Sequence, residues 1–60
     1  MSQKSMVFAF CESRPRGYFR LADAYDALPN LPMPTIRNLL QAARDAGLIA
    51  FVDNRGLYLR

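Results

Sequence analysis

Residues 35–58 read TIRNLLQAARDAGLIAFVDNRGLY, a helical pattern followed by a strand–turn–strand pattern. In the first half, apolar residues recur at spacings that place them on one helix face: Ile36, Leu39, Leu40 and Ala43. Gly47 follows at a position typical of a helix C-cap. The apolar run 48–52 and the alternating segment 57–60 flank the turn residues 53–56, and a positive φ is expected at Asn54 and Gly56. The sequence therefore predicts a helix over 34–46 and a β-hairpin over 48–60.

Two shorter helices and one short strand are predicted before this segment. A helical stripe of Met6, Val7, Phe10 and Cys11 indicates a helix over 2–13, with Ser2 or Ser5 as its N-cap. A second stripe indicates a helix over 21–28, in which Asp23 lies near the positive end of the helix dipole. The residues 18–20 favour an extended backbone and are expected to pair with the hairpin. The proline-rich stretch 29–34 ends the second helix, and Pro34 suits the first position of the next.

These elements form one small domain. A chain of 60 residues has room for a single core, and its hydrophobic content of 52 % is sufficient to build one. We expect one domain over 1–60 of the α+β class, with three helices and a small antiparallel sheet.

The composition favours a polyanionic partner and disfavours an enzyme. Eight lysine and arginine residues against five acidic residues give a net charge of +3. With no histidine, one cysteine and no glycine-rich phosphate loop, the chain lacks the groups of common catalytic and metal sites, so no enzyme activity and no cofactor are expected. The single Cys11 forms no internal disulfide and no apolar run approaches the roughly 18 residues of a membrane span, so a cytoplasmic location without membrane contact is expected.

Short motifs in the same segment resemble a known family. Thr35-Ile36-Arg37, Leu39-Leu40 and Gly47-Leu48-Ile49 are similar to a T-[IV]-R, paired-leucine and G-L-[IV] pattern, and residues 54–58 resemble a wing tip with its return strand. This pattern is found in winged helix-turn-helix transcription regulators of the GntR and MarR types. The resemblance implies a winged helix fold, with residues 34–46 as recognition helix. In this chain the segment 31–34 replaces the usual serine or threonine N-cap of that helix.

The interpretation as a DNA-binding protein assigns roles to particular residues. The polar face opposite the apolar stripe of the third helix includes Asn38 and Gln41, which are expected to pair with adenine. Arg37 lies on one flank of this face and is expected to pair with guanine. Thr35 near the helix start is expected to reach phosphate, and Arg55 at the turn to reach phosphate or a minor groove. Further backbone contacts are expected from Arg14, Arg16 and Lys4.

The predicted partner is double-stranded DNA, and the predicted role is that of a small regulator, most simply a repressor. No small-molecule ligand is expected. A homodimer is expected because one domain reads only a short site, with Phe8 and Met6 at the interface, since Phe8 lies off the apolar stripe of its helix. Two alternatives stay open: a winged helix used for protein contact, in which Phe8 and Met33 matter most, and a small architectural factor of the excisionase kind used in recombination.

Overall fold

The computed structural model describes residues 2–53 and 55–60, which form three helices and a three-stranded antiparallel sheet. The elements along the chain are α1 (Gln3–Ser13), β1 (Tyr18–Arg20), α2 (Leu21–Ala27), α3 (Met33–Asp45), β2 (Ala50–Phe51) and β3 (Leu57–Leu59). The sheet order is β1-β3-β2, so the last strand lies in the middle. The α+β class and the short strand at 18–20 predicted from the sequence are confirmed.

The C-terminal end of α3 explains why the predicted hairpin is longer than the observed strands. Gly47 has φ +81°, and its N–H donates to the Arg44 carbonyl at 2.9 Å. The Leu48 N–H donates to the Ala43 carbonyl at 3.0 Å, which completes a Schellman motif. Because the Leu48 N–H is hydrogen-bonded to the end of α3, the pairing of β2 with β3 begins only at Ala50 and not at residue 48 as expected.

The start of α3 is shifted by one residue from the prediction. Pro32 is the N-cap, so Met33 is the first helical residue and Pro34 the second. Both positions have an N–H without an intrahelical acceptor, which is why proline is tolerated at either one. The helix begins without a side-chain cap, as expected from the missing serine or threonine.

Capping interactions define the two other helices. The Ser5 N–H donates to Ser2 Oγ at 3.0 Å at the start of α1, which confirms Ser2 as the N-cap. At the start of α2 the Asp23 carboxylate accepts the Arg20 N–H at 2.8 Å, so this acid makes a specific hydrogen bond as well as facing the helix dipole. At the other end of α1, Nη1 of Arg60 donates to the carbonyls of Glu12 and Arg14.

A row of aromatic rings crosses the sheet and joins it to α1. The register places Phe19 and Phe51 on either side of Tyr58, with ring centroids 5.2 and 5.1 Å from the tyrosine. Phe10 of α1 meets Phe19 edge to face at 5.6 Å. We call these four residues the ring row. Beside them, the fully buried side chains that fill the core between α1 and α3 are Val7, Cys11, Ile36 and Leu40.

The hairpin turn is organised by a carboxylate and a glycine. Oδ1 of Asp53 accepts the N–H groups of Arg55 and Leu57 at 2.8 and 3.2 Å. Gly56 has φ +91°, which confirms the expected positive φ at this position. Asn54, for which a positive φ was also expected, lies outside the described residues. Across the part of the chain that the structure describes, no helix has both the length and the apolar character needed to cross a bilayer.

Candidate nucleic-acid interface

Helix α3 has a buried face and a polar face, as its sequence predicts. Ile36, Leu40 and Ala43 are completely buried. The exposed side carries Arg37, Asn38 and Gln41, which line one shallow concave surface together with Met33 and Pro34. Three of the residues predicted to contact DNA are thus brought together. Thr35, also predicted, lies half-buried on the flank of this surface.

The charge along the exposed face of α3 is favourable to an anion over its first turns. Arg37 is the only charged residue of the helix before Arg44, and the first carboxylate is that of Asp45 in the last helical position. The Arg44 guanidinium lies 3.4 Å from the Asp45 carboxylate. The negative group of α3 is therefore at the far end of the helix and beside a neutralising arginine.

A cleft of about 200 Å³ separates α3 from the hairpin. The helix contributes Arg37 and Gln41, and the hairpin contributes the other lining residues, Phe51, Asp53, Gly56 and Tyr58. We call this feature the helix–hairpin cleft. It gives a concave polar surface that continues from the exposed face of α3 to the turn of the hairpin.

Tyr58 is a residue of this cleft that the sequence reasoning treated only as part of the return strand. Its ring is buried in the ring row while one edge of the side chain lines the cleft. Burial raises the pKa of the phenol, the Arg37 charge acts in the opposite direction, and the Asp53 carboxylate raises the pKa further. The hydroxyl therefore keeps its proton at neutral pH and is a hydrogen-bond donor. The signal that was available is the alternation along residues 57–59, which turns Tyr58 to the core side between two half-buried strand neighbours.

Arg55 lies at the turn with its side chain exposed, where the sequence predicted it. The hydrogen bond from its N–H to Asp53 fixes the backbone that carries this side chain. The turn of the hairpin thus carries an exposed cation that is not part of the cleft lining.

Arg14, which was predicted to contact the DNA backbone, is half-buried against two aromatic rings. Its guanidinium stacks at 5.6 and 5.5 Å from the ring centroids of Phe10 and Phe19. Its Nε is buried and has no hydrogen-bond partner among the described residues. Arg14 therefore packs at the β1 end of the ring row and does not line the helix–hairpin cleft, and its contact with DNA stays a prediction. Arg16 is exposed in the same loop, and the Lys4 ammonium lies 5.4 Å from the ring centroid of Phe8.

Arg44 contacts Phe51 at the opposite end of the ring row. Its guanidinium lies 4.4 Å from the ring centroid of Phe51, so it connects the last turn of α3 to β2. It also lies in the last turn of α3, where a positive charge complements the helix dipole. The contact between helix and hairpin is thus made at one end of the cleft.

The residues predicted for a dimer interface are partly covered within the chain. Phe8 packs against the core as a half-buried side chain, and Met6 is also half-buried. The large apolar residues with most exposure are others: Tyr18, Tyr25, Met33 and Val52. The dimer stays a prediction, but its original reason is weakened because packing of Phe8 on neighbouring elements already covers much of the ring.

No cluster of three or more histidine, cysteine or acidic side chains able to hold a metal ion occurs in residues 2–53 and 55–60. Comparison of the chain with protein-family models, with curated proteins and with solved structures finds no match in any of the three.

Proposed function

We propose that this chain is a winged helix-turn-helix protein that binds double-stranded DNA, with α3 in the major groove and the hairpin as the wing. The observation that carries the proposal is the exposed face of α3, where Arg37, Asn38 and Gln41 form one surface free of carboxylates over the first turns. Its biological role would be that of a small transcription regulator, most simply a repressor.

The residues of this face match the chemistry of base edges. An α-helix fits the width of the major groove of B-DNA, where each base pair shows its own pattern of donors and acceptors. Asparagine and glutamine form paired hydrogen bonds with adenine, and arginine does so with guanine. The buried stripe of Ile36, Leu40 and Ala43 fixes the helix on the core, so its polar face is presented at a defined angle.

The arrangement of the elements also supports this proposal. The order helix, strand, helix, helix, hairpin and the sheet order β1-β3-β2 are compatible with a winged helix. Helices α2 and α3 are joined by a short connection over 28–32 and pack on each other, as a helix-turn-helix requires. The motif resemblance of residues 35–58 is consistent with the same topology.

A single domain of this size reads few base pairs, so recognition of an operator is expected to use a symmetric pair of chains. Phe8 and Met6 on α1 remain the predicted contact, with the reduced exposure described above. Analytical ultracentrifugation on a DNA duplex checks this: one chain per duplex at saturation contradicts it.

The decisive experiment is a titration against duplex DNA of random sequence at several salt concentrations. Asn38→Ala and Gln41→Ala should reduce the preference among sequences selected from the random pool, because they remove base contacts. Arg55→Gln should weaken binding to all sequences and reduce the salt slope by about 1, because it removes a phosphate contact. The matched control is Gln3→Ala on α1, an exposed position outside both α3 and the hairpin.

The same experiment separates the second candidate function. Met33 is exposed beside Pro34 at the start of α3, and an apolar side chain on this surface favours contact with a protein. If the wild-type chain shows no binding to duplex DNA even at low salt, DNA binding is excluded and protein contact through this surface is the better interpretation.

A further inference from the structure

We infer that the helix–hairpin cleft holds one phosphate group of the DNA backbone, bound by the guanidinium of Arg37 and the hydroxyl of Tyr58. This inference rests on the proposed function and specifies which atoms of the DNA this part of the protein takes. It gives Arg37 a phosphate as its partner, in place of the guanine that the sequence pattern suggested.

The position of the cleft is the first argument. A helix in the major groove and a hairpin at the neighbouring minor groove lie on either side of one sugar–phosphate strand, because that strand is the wall between the two grooves. The strand must therefore pass between the two protein elements. In this chain that space is the cleft of about 200 Å³ with Arg37 on one wall and Tyr58 on the other.

Arg37 has no ionic partner among the described residues. The ion pair found there joins Arg44 to Asp45, and no described carboxylate lies within 4.0 Å of Arg37. Its guanidinium is exposed and presents a planar fork of N–H donors that matches two oxygens of a phosphate. Arg44 does not compete for this role, because it is stacked on Phe51.

The Tyr58 hydroxyl lines the cleft and is available as a hydrogen-bond donor. The ring is held between Phe19 and Phe51, so the position of the hydroxyl is set by the sheet before any ligand arrives. Among the groups that the structure describes, none forms a hydrogen bond with this hydroxyl. Since burial keeps the phenol protonated, it is a donor for which a phosphate oxygen is the natural acceptor.

The Asp53 carboxylate repels an anion in the cleft and therefore lowers the affinity of the cleft for phosphate. Its Oδ1 is occupied by the N–H groups of Arg55 and Leu57, which shape the turn, but its charge still faces the cleft. The substitution Asp53→Asn keeps an oxygen acceptor for both N–H groups and removes the charge. It should consequently tighten DNA binding about threefold, an effect opposite in sign to the loss of Arg37.

The test compares Tyr58→Phe and Arg37→Gln with a matched control, Tyr25→Phe, which removes the hydroxyl of an exposed tyrosine on α2. Tyr58→Phe should weaken binding about tenfold with an unchanged salt slope, because a neutral donor to a charged oxygen is lost. Arg37→Gln should weaken binding about tenfold and reduce the salt slope by about 1, because one counterion fewer is released. Circular dichroism spectra that match wild type establish that both variants fold.

The outcomes separate this inference from the proposed function. If the wild-type chain binds duplex DNA and both variants bind as tightly as Tyr25→Phe, the phosphate site is refuted and DNA binding stands. If the wild-type chain does not bind duplex DNA at low salt, both fail together. A titration with inorganic phosphate, followed by amide NMR shifts, identifies the source: shifts around Gly56 and Tyr58 at millimolar phosphate, without an effect of Tyr58→Phe on DNA, assign the cleft to free phosphate and overturn the DNA-backbone assignment.

Discussion

Substitution of alanine for Gly56 should destabilise the protein more than the same change at Gly47. Both glycines have positive φ, +91° and +81°, so an L-residue adds a strain of roughly 1–2 kcal/mol at either position. Reduced freedom of the unfolded chain offsets about 0.4–1 kcal/mol of it. At Gly47 a new Cβ meets no atom within 4 Å, whereas at Gly56 it lies 3.3 Å from Leu21 Cβ. We expect a loss of about 1 kcal/mol for Gly47→Ala and about 2 kcal/mol for Gly56→Ala.

Urea denaturation followed by far-UV circular dichroism measures both losses. In a domain of this size about 2 kcal/mol is a large part of the total stability, and the corresponding shift in Tm is about 10 °C. Gly47→Asn is the control, because asparagine adopts the left-handed region at lower cost, and it should recover part of the loss. Equal losses at the two glycines, or a Gly47→Ala variant more stable than wild type, would refute the reasoning from φ and Cβ contacts.

Two further predictions concern stability. Burial raises the pKa of the Cys11 thiol, with the Arg60 charge lowering it and Glu12 raising it, and burial likewise raises the pKa of Tyr58. The unfolded chain therefore ionises first at these two groups, and the free energy of unfolding should fall as the pH rises above the ordinary thiol pKa of 9.0, less steeply in Cys11→Ala. Urea midpoints that do not change between about pH 8 and about pH 10.5 contradict this. Arg60→Gln should lower the free energy of unfolding by about 1 kcal/mol through loss of its bonds to the end of α1, with Arg16→Gln as the control in the same assay.

The order and type of the elements were predictable because each has a local cause. Of the predicted apolar stripe of α3, Ile36, Leu40 and Ala43 are fully buried and Leu39 is half-buried. Gly47, predicted at the helix end, follows the C-cap Ala46 and has a positive φ. Ser2 likewise caps α1. The predicted boundaries of the elements were less accurate. The start of β2 depends on the hydrogen bond from the Leu48 N–H to the end of α3, which the spacing of residues does not reveal.

The arginines were harder to assign than the helices. Each is a long cation, and no neighbouring residue in the sequence distinguishes an arginine that faces solvent from one that packs on an aromatic ring. Arg14 and Arg44 lie on aromatic side chains brought near by β1 and β2, and Arg60 reaches the end of α1 across 46 and 48 positions of sequence. Tyr58 was missed for the same reason, because its place in the cleft depends on pairing between distant segments.

The ring row also has an optical consequence. The chain contains no tryptophan and three tyrosines, of which Tyr18 and Tyr25 are exposed and Tyr58 is buried among phenylalanine rings. A fixed asymmetric environment is what gives a tyrosine its near-ultraviolet circular dichroism, so this band should arise chiefly from Tyr58. Since Tyr58 contacts rings from β1 and β2, the intensity of the band reports whether both outer strands are paired with β3. The closure of the sheet can thus be followed in the unlabelled protein through one of its own chromophores.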